Sequence, residues 1–192
     1  MPVVKNPEHM AWEQVLQMSE VCRGMHFPRV AISGGEPTLS PILPKLGADL
    51  RQLFSAKFYE LRTNGILLRD CLADLGAFDI IGVSCYPGRS PSDVKSLVKI
   101  DSRIRLSIKY SLHRMDRSHH SNQHGRPWKR CGLYRVVNVV GDRIYPCCTL
   151  HGLAVRRGMA LDDVSIAVQP GWPEKLDGID MSRICRECSW PT

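Results

Sequence analysis

The sequence predicts an α/β fold: parallel strands with helices outside them, followed by a small cysteine-rich C-terminal part. Three observations lead there. Through residue 110, apolar stripes at helical spacing alternate with short apolar runs. That rhythm then stops at a polar, basic, histidine-rich stretch. Beyond it lie Cys131, Cys147, Cys148, Cys185 and Cys188, five of the chain's eight cysteines. A helix–strand repeat of this kind calls for parallel strands, because parallel pairing needs a crossover between strands.

The elements follow in order. Asn6-Pro7 opens a helix, with Asn at the cap, Pro at the first helical position and Glu8 near the positive end of the dipole. Trp12, Val15, Leu16, Ser19 and Cys22 line one face, and Gly24 ends it. Phe27 to Ser33 is a short buried strand. Ser40-Pro41 starts a second helix with the stripe Leu43, Leu46, Leu50, Leu53 and Phe54. Phe58 to Thr63 is the next strand, ending at the turn Asn64-Gly65. Leu67, Leu68, Cys71, Leu72 and Leu75 form a third helix face, closed by Gly76. Phe78 to Cys85 is a strand, Pro91 to Val98 a short helix, and Arg103 to Tyr110 an alternating strand. Residues 111–130 read as a surface loop. Leu133–Tyr145 alternates around Gly141-Asp142, a hairpin signal. A short helix near Thr149–Arg157 and a Pro/Gly-rich tail complete the chain.

In such folds chemistry sits where strands end and loops begin. The candidates are Ser33–Pro37, Thr63–Gly65, Ser84–Pro87 and Lys109–Ser111, from four successive strands on one rim. Gly34-Gly35 brings backbone without side chains to a strand end, which permits close approach by a ligand. Exposed carbonyls and the Glu36 carboxylate would suit an ammonium group. A tight βα turn explains the same residues without a ligand.

Net charge is +7, and all of the excess lies in residues 103–135. That stretch holds nine basic groups, one acid (Asp116), and His113, His119, His120 and His124. Clustered charge of this kind steers anions, a phosphate-bearing or acidic peptide among them. Only Trp128 is available for base stacking, which disfavours nucleic acid. A solvated loop explains the segment equally well. No stretch reaches the roughly 18 apolar residues of a membrane span. Met1-Pro2-Val3-Val4-Lys5 lacks a signal-peptide apolar run. A cytoplasmic protein without a membrane partner is expected, and with it reduced cysteines and metal ligation rather than disulfides. Cys22, Cys71 and Cys85 fall in apolar patterns and read as buried small hydrophobes.

Val30-Ala31-Ile32-Ser33-Gly34-Gly35-Glu36-Pro37-Thr38-Leu39 resembles the second-strand motif of radical S-adenosylmethionine (SAM) enzymes. Leu61-Arg62-Thr63-Asn64-Gly65 and Ile81-Gly82-Val83-Ser84 resemble that family's later strand ends. The resemblance covers about residues 8–110. It implies a partial, incomplete TIM-like parallel barrel. It also implies that Gly34, Gly35, Glu36 and Pro37 hold the methionine end of SAM, with Asn64 and Ser84 lining the cofactor. In the family, a cluster reduces SAM to release a 5′-deoxyadenosyl radical that takes a substrate hydrogen. The three thiolates of that cluster come from Cys-x-x-x-Cys-x-x-Cys, which this sequence lacks. The expectations that follow are an N-terminally truncated chain, with a degenerate member that lost the chemistry as the alternative, inactivity in reductive SAM cleavage, and an unpaired sheet edge at Phe27–Ser33.

Cys185-Arg186-Glu187-Cys188 is a knuckle whose two sulfurs can meet one metal centre, and the hairpin delivers more. Cys131, Cys147, Cys185 and Cys188 are the expected ligands, with Cys148 as the alternative to Cys147. Four thiolates fit Zn²⁺ or an iron–sulfur cluster, and spacing leaves both open. The Gly141–Cys148 segment resembles the SPASM/twitch extension of radical SAM enzymes, which implies an auxiliary [4Fe–4S] cluster. The expected organisation is a partial barrel over 1–110, a basic loop over 111–130 and a twitch-like extension over 131–192. It implies an unknown peptide or anionic small-molecule substrate and a reductant protein. The competing reading is a non-catalytic, zinc-stabilised module that binds anions through its basic loop.

Overall fold

The computed structural model describes residues 9–85, 95–96, 98–108, 136–147 and 150–186. The chain divides into two compact units, residues 1–12 with 22–112 and residues 13–21 with 113–192.

The first unit is built on strands β1 (His26–Ile32), β2 (Ser55–Thr63), β3 (Ile80–Cys85) and β4 (Ile104–Ile108). They form one sheet in that order, and every neighbouring pair is parallel. This is the mixed α/β architecture that the helix–strand rhythm predicts. The register places Ile32, Leu61, Ile81 and Ile104 side by side in one apolar row. Leu61 and Ile81 are fully buried there. Helices α2 (Leu43–Leu53) and α3 (Leu68–Cys71), with the 3-10 turn Leu72–Leu75, supply buried Leu46, Leu50, Leu68 and Leu75. Fully burying a side chain of this size contributes about 1.5–3 kcal/mol. Among the described residues, β1 is an edge of this sheet. Pro28 sits within it, where a residue with no N–H to donate is tolerated.

The second unit carries an antiparallel sheet ordered β5 (Asn138–Val140), β6 (Arg143–Tyr145) and β7 (Ile166–Ala167). The β5–β6 hairpin turns at Gly141, whose φ of 60° favours glycine. Helices α4 (Leu150–Arg157), α5 (Leu161–Val164), α6 (Trp172–Asp177) and α7 (Met181–Arg186) follow. Tyr145, Leu150, Leu153, Ala154, Val164, Met181 and Ile184 form their shared core.

Two expectations need correction. The first helix, α1 (Trp12–Val21), begins after its expected Asn6-Pro7 cap, and His9–Ala11 are not helical. Its start coincides with its buried stripe, since packing rather than a cap stabilises most short helices. Residues 13–21 also belong to the second unit, where Gln17 Nε2 donates to the Val168 carbonyl at 3.1 Å. The third helix is one α turn that tightens into a 3-10 turn. The Pro/Gly-rich C-terminal tail carries a third strand and three short helices. The expected helix over 91–98, the loop over 111–130 and the ends of strand 103–110 lie largely outside the described residues. Among the described residues, no helix is long and apolar enough to cross a membrane.

Candidate functional site

Four parallel strands bring their C-terminal ends to one edge of the sheet. Ser33–Pro37, Thr63–Gly65 and Ser84-Cys85 therefore leave three adjacent strands at one rim, as the sequence predicts. Tyr86-Pro87 and Lys109–Ser111 lie outside the described residues.

Glu36 ties the first two strand ends together. Its Oε1 accepts hydrogen bonds from the Thr38 amide at 3.1 Å, the Thr38 hydroxyl at 2.7 Å and the Thr63 hydroxyl at 2.5 Å. Its Oε2 accepts from the Asn64 amide at 2.7 Å. The local chain makes this natural. Glu36 has extended backbone and caps the 3-10 turn Pro37–Leu39, with Pro37 at the turn's start. The side chain then reaches across to the exit of β2. Burial alone would raise the Glu36 pKa. Hydrogen bonds from Thr63, Asn64 and Thr38 outweigh it and hold the carboxyl below its usual value. Glu36 is thus an anion whose oxygens are already engaged. These bonds make it a brace for the loop.

The loop that Glu36 braces is open. Ser33, Gly34 and Gly35 are exposed. Gly34 has a φ of 141°, which a side chain would strain. Gly35 is different: its φ is not positive, and a Cβ there would meet no atom within 4 Å. Neither packing nor backbone conformation demands a glycine at 35. A glycine there leaves the backbone open to close approach. Asn64 Oδ1 accepts from the Ile66 amide at 2.8 Å and shapes the next rim turn. Thr63 Oγ1 accepts from the Gly65 amide at 2.9 Å. Ser84 is half-buried and paired in register with Ser107.

Sequence reasoning missed a second polar group. Glu60 is buried within β2 and is bonded to Arg29 Nη1 at 3.0 Å and Arg62 Nε at 3.1 Å. The signal was the alternation Phe58, Glu60, Arg62 opposite Tyr59, Leu61, Thr63. A parallel strand covered on both faces reads as a continuous apolar run, and this one does not.

Of the expected metal ligands, Cys147 and Cys185 are described. Both are half-buried and pack against the same apolar cluster. Cys131, Cys148 and Cys188 lie outside the described residues, as do His113, His119, His120 and His124. Among the described residues, no group of three or more metal-ligating side chains comes together. Cys22 and Cys85 are buried, as expected of small hydrophobes. Cys71 is half-buried, and burial, with Asp74 adding to it, pushes its thiol pKa up, so it is no activated nucleophile.

No protein-family model and no curated protein matches this sequence. A solved structure does match in shape: a crystal structure of selenomethionine BtrN in an open conformation. The TM-score is 0.56 at 15% sequence identity, over 94% of this chain and 75% of that one. The chain shares its overall fold with that structure. At this identity the likeness concerns the fold alone.

Proposed function

We propose that this chain is a radical SAM-type iron–sulfur protein, binding SAM at the Gly34-Gly35 rim and an auxiliary [4Fe–4S] cluster at its C-terminal cysteines. The observation that carries the SAM reading is Gly35: exposed, unstrained and touching nothing, beside a loop clamped by Glu36. The residues fit the methionine end of SAM. Exposed backbone at Ser33–Gly35 can approach the ligand, Glu36 and Pro37 hold that backbone in place, and Asn64 and Ser84 sit at the adjoining strand ends. For the cluster, Cys147 and Cys185 supply two soft ligands on one apolar surface, which suits a centre shielded from water. Cys131 and Cys188 would complete the set, with Cys148 as the alternative to Cys147. When bound, such a cluster supplies electron-transfer capacity, and a reductant protein would be its electron source. The sequence holds no Cys-x-x-x-Cys-x-x-Cys, so this chain alone is expected to bind SAM without cleaving it.

Two measurements test the reading. SAM affinity measured by calorimetry should weaken at least about tenfold in Gly35→Val, a tenfold loss corresponding to about 1.4 kcal/mol. The melting temperature should barely move, because the new side chain meets open space. Equal SAM affinity in both proteins would sink the SAM assignment. Iron, sulfide and zinc per chain after anaerobic purification test the cluster. About four irons with matching sulfide, lost in Cys188→Ala, are expected. About one zinc without sulfide would replace the cluster by a structural Cys₄ site and favour the binding-module reading.

A further inference from the structure

We propose that the Glu60 face of the parallel sheet binds a single anionic group, a carboxylate or phosphate, of a small-molecule ligand. Arg29 and Arg62 are the donors, and Glu60 is the positioning residue that aims them. The inference requires neither SAM nor a metal.

The geometry begins with alternation. On β2, Phe58, Glu60 and Arg62 share the face opposite Leu61 and the helix-covered core. Register sets Ala31 beside Glu60, and Gly82 beside Arg62. Both neighbours carry small side chains or none. A Cβ at Gly82 would stand 3.4 Å from Glu60 Oε1 and 3.8 Å from Arg62 Cγ. Gly82 thus lies within ordinary contact distance of the ion pair.

The exposures differ sharply. The Glu60 side chain is 10% exposed, whereas those of Arg29 and Arg62 are 50% and 57% exposed. Glu60 accepts from Arg29 Nη1 at 3.0 Å, Arg62 Nε at 3.1 Å and Arg62 Nη2 at 3.3 Å. Those bonds engage only part of each guanidinium. Arg29 Nε and Nη2 and Arg62 Nη1 make none of these bonds to Glu60.

Stability alone does not account for this arrangement. A desolvated ion pair is often no better for folding than apolar residues of the same size. Glu60 instead fixes two long side chains from adjacent strands around one point, so a ligand would not have to order them. The trio carries one more positive charge than negative, and Arg105 lies beside Gly82 in register on the neighbouring strand. The unbalanced charge selects an anion. Guanidinium forks select planar carboxylates and phosphates, which accept two parallel bonds. Two arginines meeting on one carboxylate make one anionic subsite, not a track for a polymer backbone.

The test is titration of the whole chain with inorganic phosphate and, separately, malonate, following the arginine Nε–Hε resonances by NMR. Arg29→Gln and Arg62→Gln should each weaken binding about tenfold. Arg51→Gln, which removes an arginine paired with Asp79, should leave it unchanged. Arg62→Lys keeps the charge but loses the fork, and an intermediate affinity is expected. This variant also serves if the Gln variants fail to fold. Preference for phosphate or malonate identifies which anion the subsite takes. Affinities that are equal in wild type and all four variants would place anion binding on other basic residues and overturn the proposal. Failure of both probes to bind at millimolar concentration would overturn it too. Neither result bears on SAM binding, so the two readings fail separately.

Discussion

Gly47→Ala is expected to destabilise the first unit by about 2 kcal/mol or more, although an alanine in mid-helix normally helps. Gly47 lies inside α2, where glycine costs about 1 kcal/mol relative to alanine on propensity alone. By that measure the substitution should stabilise. The packing reverses the sign. A Cβ at position 47 would stand 1.7 Å from the Asp74 carbonyl oxygen and 3.0 Å from its carbon. Both atoms are backbone, so no rotamer change relieves the clash. Either α2 or the turn Leu72–Leu75 must move, and with it the buried Leu46, Leu50 and Leu75. Overpacking a core by a methyl commonly costs about 1–3 kcal/mol, and a backbone obstacle sits at the upper end. A drop of roughly 4–8 °C in melting temperature follows for a chain of this size. Because α2 follows the 3-10 turn capped by Glu36, SAM affinity should fall with it. A melting temperature that stays level or rises would show that the close approach at Gly47 is not tight in solution. Gly35→Ala is the matched control, since nothing surrounds that position.

The first three strands of the parallel sheet were legible because each ends at glycine, asparagine or cysteine and is followed by a segment of helical pattern, and the fourth by its alternation. Ser33-Gly34-Gly35-Glu36-Pro37 was legible as a rim segment for the same reason. What Glu36 bonds to was not. Thr63 and Asn64 lie nearly thirty residues away, and only the register of β1 on β2 brings them within reach. Glu60 was hidden in the same way, since its partner Arg29 belongs to the neighbouring strand. The C-terminal elements were missed because a two-residue strand and helices of four to six residues fall below what periodicity can resolve. One signal was present there. Gly171 adopts a φ of 70° directly before Trp172-Pro173, a glycine turn followed by a proline in the first helical turn.

Glu36→Gln should be the most informative change at the rim, with a loss of about 2–3 kcal/mol at neutral pH. The carboxylate gathers the Thr38 amide and hydroxyl, the Thr63 hydroxyl and the Asn64 amide. An amide side chain must turn an NH₂ toward at least one of these donors, and the bonds it keeps lose their charge assistance. The pH dependence gives an independent check on the ionised state. The folded-state pKa of Glu36 lies below its ordinary value, because the bonds from Thr63, Asn64 and Thr38 outweigh the effect of burial. Below the ordinary glutamate pKa of about 4.3, the unfolded chain therefore binds the proton more readily than the native chain. The stabilisation from Glu36 is present in full above that value and is lost as pH falls through the lower, folded pKa. Asp79 and Asp101 are also held below the usual carboxylate range, so the wild-type acid transition sums several groups. The difference between wild type and Glu36→Gln isolates one of them. Urea denaturation at a series of pH values should show a gap that is constant from pH 7 to about 5 and narrows below about 4. A gap independent of pH would mean that Glu36 is not held as an anion by the rim. Thr63→Val should then cost little, whereas the clasp predicts that Thr63→Val reproduces part of the Glu36→Gln loss and raises the Glu36 pKa.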